Sequence, residues 1–488
     1  MDVFGWLAAT DYSVAREVLQ RGIAALYLIA FISAVNQFPA LLGEHGLLPV
    51  PRFLRLAYAR RQPTLFRWRY SDRLLRAVAW TGAALSALVV AGIPQFAPSW
   101  ALLLVFLVVW GLYLSIVNVG QTFYSFGWES LLLEAGFTVG FLGSHDTAAP
   151  ITIILLLRWL VFRLEFGAGM IKMRGDRSWR DLTALYYHHE TQPMPNPLSR
   201  TAHLLPKWWH RVEVLGNHFA QLVVPWFLFA PQPVASCAAA IVILTQLWLV
   251  ATGNFAWLNV ITIVLAFSAV SDTVLSTVFG ALPVGTVGDI GAGSVPAWFA
   301  VVALAASILL IVLSWRPLAN LFSRHQLMNA SFNRWHLVNA YGAFGSVTKE
   351  RYEIIVEGTI EDAGSSAAVW REYEFKGKPG DARRLPPQVA PYHLRLDWLM
   401  WFLALGSRDT RWFEVFLLRL LEADAPTLRL IRRAPFGRDK PTAVRARTFL
   451  YRYSTRAEKR ETGMRWIRVE VGTLVAPVAL PERHERPQ

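Results

Sequence analysis

Between Arg158 and Lys172 an apolar stretch of helix length carries Arg158, Arg163, Glu165 and Lys172, and it runs directly into the polar segment 173–200, MRGDRSWRDLTALYYHHETQPMPNPLSR. At roughly 1.5 Å per residue a helix over 150–171 is about 33 Å long, enough to cross the hydrocarbon core of a bilayer. Arg158, Glu165 and Lys172 recur at every seventh position, two helical turns apart, and so share one stripe. An ionisable group at membrane depth is costly unless it faces protein, water or an opposite charge. The stripe therefore demands an interior polar site surrounded by other spans.

The rest of the chain supplies such spans. Hydrophobic residues make up 54% of the 488, with 21 Trp, a composition of multi-pass membrane proteins with interfacial aromatics. Apolar runs predict spans near 18–42, 76–97, 99–119, 128–146, 150–172, 213–231, 234–252, 255–275 and 297–315, or eight to nine crossings. The 128–146 run holds Glu129 and Glu134 and reads equally as a re-entrant or bundle-buried helix. Residues 1–17 lack the basic start and small-residue cleavage site of a signal peptide, so the first run reads as a retained anchor. Cys237 is the single cysteine, which excludes an internal disulfide or CxxC pair and leaves a small buried hydrophobe.

The net charge of +14 gathers outside the spans. Residues 51–76 hold eight arginines and one acid, the pattern of a short cytoplasmic loop. With nine crossings the loops at 51–76 and 173–212 and the C-terminal region share that side. These arginines flank spans and no nucleic-acid motif accompanies them, so the expected partner is an anionic membrane surface and not DNA or RNA. The Arg- and Ala-rich composition points to a bacterial cytoplasmic membrane, or the endoplasmic reticulum membrane in a eukaryote.

From about residue 316 the long apolar runs give way to alternating segments at 352–360, 369–375, 442–453 and 466–471, the pattern of half-buried strands, with amphipathic helices at 394–405 and 411–421. The fold expected is thus mainly α: a transmembrane helical bundle over 1–315, followed by a C-terminal α+β domain with short antiparallel strands over 316–480 against the membrane surface, and a polar tail over 481–488.

Glu165 is the deepest charge and lies about 10 Å along the axis from Arg158 and Lys172, too far for tight pairing within one helix. Its partner is expected from another span, or is an arginine, Arg163, through local rearrangement; for the arginines Glu129 and Glu134 are the candidates. Lys172, near the span end, either snorkels or, if desolvated, serves as a base. The prolines at 193, 195 and 197 end the following helix as an interfacial elbow that places Asp176, Trp179, Asp181 and Glu190 beside Lys172. Consecutive residues on a helix diverge by about 100°, so only one of His188 and His189 can join a given site. With no HExxH spacing, no metal is assigned. In the C-terminal region His393, Arg395 and Asp397 form the densest polar cluster. GxSxG, a phosphate loop and a dinucleotide fingerprint are missing, so no cofactor is expected and enzyme activity is disfavoured.

The strings NVGQTFYSFGWESLLLEAGF (118–137), RWLVFRLEFGAGMIKMRGDRSWRDLTALYYHHETQPMPNPLSR (158–200), NAYGAFGSVTKERYEIIVEGT (339–359), VWREYEFKGKPGDARR (369–384) and PYHLRLDWLMWF (391–402) resemble the lipase maturation factor family over nearly the whole chain. The resemblance implies a membrane-integrated folding factor whose partners are secreted clients, dimeric lipases above all, together with membrane lipids. It also implies an exoplasmic C-terminal domain, against the orientation drawn from charge. Animal members carry cysteines where this chain has Gly377 and Pro387, so no thiol role in that loop transfers. A shorter resemblance, AGMIK at 168–172 followed by Trp179, is to the membrane domain of vitamin K-dependent carboxylase, where a lysine matching Lys172 acts as a base. It implies the alternative of a membrane-embedded enzyme or lipid-binding protein with a charged pocket around Lys172 and Glu165.

Overall fold

Helices form over the apolar runs, and their ends follow caps and prolines. The computed structural model describes residues 4–280 and 294–481; of the expected tail, 482–488 lie outside the described residues. The long helices of the first half are α1 (Ser13–Leu42), α2 (Asp72–Val90, capped by the Ser71 hydroxyl) and α3 (Ser99–Val117). They are followed by α4 (Gly127–Val139), α5 (Ile151–Arg174), α6 (Leu185–Thr191) and α7 (Lys207–His218). Next come α8 (Val234–Thr252), α9 (Leu258–Ala266), α10 (Asp272–Phe279), α11 (Ala297–Leu313) and α12 (Trp315–Phe322). Among the described residues α1, α2, α3, α8 and the α11–α12 unit are long and apolar enough to cross a membrane. A sixth crossing results if Leu258–Ala269 and α10, bent by 101°, form one span.

Five or six helices meet that test by length and composition, against the eight or nine crossings expected. The 128–146 run yields α4, whose 13 residues reach only about 20 Å, and it is buried in the bundle. The 213–231 run is interrupted by a π-turn at Phe219–Val223 before the short helix Val224–Phe227. Pro225 has no N–H and its ring crowds the carbonyl four residues back, which forces that wider turn. Helix α5 is long enough, at 24 residues, but too charged to stand in lipid alone. It is mostly buried, packed against α4, α9, α11 and the 219–227 segment. Two close approaches set the bundle: Gly82 of α2 lies on the Phe31 ring and Gly136 of α4 on the Tyr27 ring, and a Cβ at either would enter the ring.

After a linker the chain forms β1 (Arg351–Thr359), β2 (Arg371–Glu372), α13 (Arg395–Ala404), α14 (Arg411–Leu421), β3 (Ala443–Tyr453) and β4 (Trp466–Val478). The four strands make one antiparallel sheet in the order β2-β1-β3-β4. Helix α13 packs on β1 and α14 on β3. The strand expected at 369–375 shrinks to two residues because the Glu374 N–H leaves the ladder for the Arg433 carbonyl, 3.0 Å away. The strand expected at 466–471 runs on to Val478. The aromatic residues of α14, Trp412, Phe413 and Phe416, are all buried, Trp412 against the Phe123 ring and Phe416 against Phe375.

Candidate functional site

Each charge of α5 has a partner, and none of the stripe residues pairs with another tightly. The Arg158 guanidinium donates to the carbonyls of Ser268 (3.0 Å) and Leu228 (3.2 Å) and lies over the Tyr12 ring. Both carbonyls belong to helix ends, where backbone oxygens are left without an intrahelical donor. Glu165 accepts from Gln246 Nε2 of α8 at 2.6 Å and also faces Gln221. The expectation of an arginine partner for Glu165 is corrected: two amides share its charge. Lys172 Nζ donates to Asn217 Oδ1 (2.9 Å) and Gln221 Oε1 (2.8 Å) and sits 4.6 Å from the centroid of the buried Trp179 ring. A lysine so buried and held does not snorkel to the headgroups.

Arg163 projects off the stripe and meets the Glu134 carboxylate of α4, and its Nη1 also donates to the Asn339 carbonyl at 2.6 Å. Glu134 is in turn held by the Asn339 N–H (2.8 Å), Asn339 Nδ2 (3.0 Å) and the Tyr341 hydroxyl (2.7 Å). The start of the C-terminal region is thereby tied into the bundle. Glu129, about one and a half turns nearer the N-terminus of α4, receives the Tyr113 hydroxyl and Arg395 Nη1, the latter at 2.6 Å. Arg395 lies at the first turn of α13, its guanidinium stacked 3.4 Å from the Tyr124 centroid, and its backbone N–H donates to Gln37 of α1. His393 sits beside the pair, its Nδ1 accepting from Trp128 Nε1 at 3.3 Å. Burial and the neighbouring Arg395 depress the imidazole to about 4, so the ring is neutral. Sequence reasoning named Glu129, Glu134, Arg163, His393 and Arg395 but not Asn339, Tyr341 or Tyr113, nor the bond between Glu129 and Arg395, which joins membrane helix to C-terminal domain.

A third joint uses the elbow. Arg351 of β1 reaches the carbonyls of Glu190 (2.9 Å) and Pro193 (3.2 Å), left free where the prolines stop the helix, while its other face pairs with Glu353. Lys378 closes on the same Glu353 carboxylate. Asp397 accepts from the backbone N–H groups of Gly377 (2.6 Å) and Lys378 (3.2 Å), and its burial pushes the carboxyl up to about 6. A side chain at Gly377 would press on Met194 Sδ of the elbow.

The elbow does not gather its acids around Lys172 as expected. Only Trp179 reaches the lysine. Asp176 caps the turn at Arg177–Arg180 through the Ser178 N–H, a bond that holds its carboxyl below the usual range. Asp181 is half exposed and pairs with Arg177. Glu190 turns to the Tyr453 N–H of β3 at 2.6 Å, and burial raises its carboxyl. His188 is enclosed by the Phe255 and Phe344 rings. His189 instead points towards His210 and Glu213 of α7, residues that the sequence reading passed over or left unassigned.

The two halves joined by these bonds each match a family model: the lipase maturation factor transmembrane domain over residues 14–277 and the lipase maturation factor C-terminal domain over 337–476. The chain belongs to the lipase maturation factor family. It is 39% identical to lipase maturation factor 1 of Homo sapiens, over 96% of this chain and 88% of the human one, and 38% identical to that of Bos taurus over 97% and 90%. Lipase maturation factor 2 of Homo sapiens is 29% identical over 95% of this chain and 82% of its own. No solved structure matches. Membership of the lipase maturation factor family, with five apolar helices of spanning length, makes this an integral membrane protein.

Proposed function

We propose that this chain is a membrane-integrated maturation factor for secreted lipases, a folding aid and not an enzyme. The observation that carries the reading is that likeness to lipase maturation factor 1 runs through both the bundle and the C-terminal domain, which buried ion pairs join into one body. A rigid scaffold of that kind suits the holding of a partly folded client better than turnover of a small molecule. We assign residues 1–315 to the membrane domain and 316–480 to the client-facing domain on the exoplasmic side. Counting the bent pair of Leu258–Ala269 and α10 as one crossing, and α5 and the 207–227 segment as two more shielded within the bundle, gives eight spans. The residue composition favours a bacterial cytoplasmic membrane, with lipid headgroups around the basic 51–76 loop.

A pocket with Lys172 as base has less support, because its amine is engaged by two amides and an indole face. The deciding experiment is to delete the gene and measure the activity per unit mass of secreted lipases. Lower specific activity, restored by the wild-type gene, is expected; unchanged activity and abundance across the secreted esterases refutes the maturation role.

A further inference from the structure

Where α6 meets α7, three side chains converge, each with one buried polar atom that finds no hydrogen-bond partner. His189 projects from α6, while His210 and Glu213 stand three residues apart on one face of α7. His189 Nε2 lies 3.5 Å from Glu213 Oε1, and His210 Nδ1 lies 3.6 Å from Glu213 Oε2. All three ligand atoms fall within 4.8 Å of one another. Both imidazoles are only 2% exposed, and His189 Nε2, His210 Nδ1 and Glu213 Oε2 are buried without a hydrogen-bond partner. Buried polar atoms in that state are rare and require an explanation.

Direct pairing is not the explanation. A charged imidazole that bonds a carboxylate closes to about 2.7–2.9 Å, well short of the separations here. Ligands at about 2.0–2.2 Å from a tetrahedral zinc ion stand about 3.3–3.6 Å from each other, and the two imidazole–carboxylate separations, one to each Glu213 oxygen, agree with that spacing. The neighbouring bonds also prepare the set. His210 Nε2 lies 3.3 Å from the His203 carbonyl; donating there, it leaves the Nδ1 lone pair facing the cluster. Glu213 Oε1 accepts from Trp248 Nε1 of α8 at 2.5 Å, which fixes the carboxylate while Oε2 remains available. Outer hydrogen bonds of this kind set the tautomer and orientation of metal ligands.

We propose that His189 Nε2, His210 Nδ1 and a Glu213 carboxylate oxygen bind a divalent cation of the zinc class, with the fourth position taken by water. Two neutral imidazoles and one carboxylate are a zinc ligand set. The ion clips the elbow helix α6 to α7, and its presence does not depend on the maturation role. No motif betrayed it, because the ligands come from two helices and two of the three are 21 or more residues from the first.

The test uses untagged full-length protein in detergent, stripped with a chelator, dialysed against Zn2+ with excess Mg2+, and assayed for metal by mass spectrometry. About one zinc per chain is expected, with a rise in unfolding temperature on zinc addition and visible d–d absorption when Co2+ replaces it. Trp248→Phe keeps every ligand but removes the outer bond, and should weaken zinc binding about 10- to 100-fold. Glu213→Gln should abolish stoichiometric binding; if it fails to fold, the wild-type stoichiometry and Trp248→Phe still decide. A stripped wild type that takes up no stoichiometric zinc overturns the proposal, as does unchanged affinity in both variants.

Discussion

Arg395→Met would leave Glu129 buried beside Tyr113 and a neutral His393 with no cation to balance it. Breaking one member of a buried pair costs about 3–5 kcal/mol, so thermal unfolding in nanodiscs should show a large loss for this variant. Glu165→Gln should cost far less, because its partners are amides that can reverse their donor and acceptor ends. Equal losses in the two variants would show that the Arg395 joint bears no special load. Histidine burial adds a pH dependence. His393 is held at about 4 by burial against an ordinary 6.5, and His336, between Ser130 and Asn118, is likewise lowered to about 4 by burial. Their stability contribution is complete above pH 6.5 and is lost as pH falls towards 4. For His393 that amounts to about 2 kcal/mol between pH 7 and 5. Asp397, raised from 3.8 to about 6, works oppositely: its penalty is present above pH 6 and relieved on acidification, a gain of about 1 kcal/mol over the same range. A melting temperature that falls from pH 7 to 5, and falls less steeply in His393→Gln, is expected. At this scale the sequence told which charges needed partners. It did not tell that Glu129 finds its cation 266 residues away, because nothing local encodes a contact made only after two domains dock.

Helices were more legible than strands, for a reason visible in the sheet. Apolar runs such as those of α3 and α8 are long enough to be spans whatever surrounds them, whereas β2 is two residues long because Glu374 found a non-strand partner in Arg433. Helix α4 misled the span count because burial by neighbours, not lipid, explains its apolar faces. The strand pattern carries its own prediction. Strand β3 is paired along both edges, by β1 and β4, while β4 has one free edge and exposes Val469, Val471 and Leu474. Amide exchange should therefore be slowest in Ala443–Tyr453 and markedly faster at alternate positions of Trp466–Val478. Uniform protection of both strands would mean that the β4 edge is covered in the full-length protein. Close helix approach gives a second test at this scale. Gly136→Ala places a methyl group in the Tyr27 ring, and overpacking of that kind costs about 1–3 kcal/mol; an unchanged melting temperature would show that α1 and α4 can separate freely.

The three joints, Glu134 with Arg163 and Asn339, Glu129 with Arg395, and Arg351 with the elbow carbonyls, make the membrane bundle and the sheet one mechanical unit. The transmembrane family model ends at residue 277 and the C-terminal one begins at 337, with α11 and α12 between them. Of the polar residues expected beside Lys172, Glu190 serves the joint through the Tyr453 N–H, while Asp176 and Asp181 serve a local turn. Such welds read like active sites in a sequence because both need charged residues where water is excluded. The linker itself is exposed at Arg324 and His325, so a protease site inserted there can be cut without touching a joint. After cleavage the two pieces should stay together in detergent through size exclusion. They should also resist high salt, since buried pairs are screened far less than exposed ones. Combining Arg395→Met with Arg351→Met removes two of these welds and should make the nicked protein come apart at lower denaturant than the nicked wild type. Dissociation of the nicked wild type in moderate salt would show that the joints are weak surface contacts, and the scaffold on which the maturation role rests would fail with them.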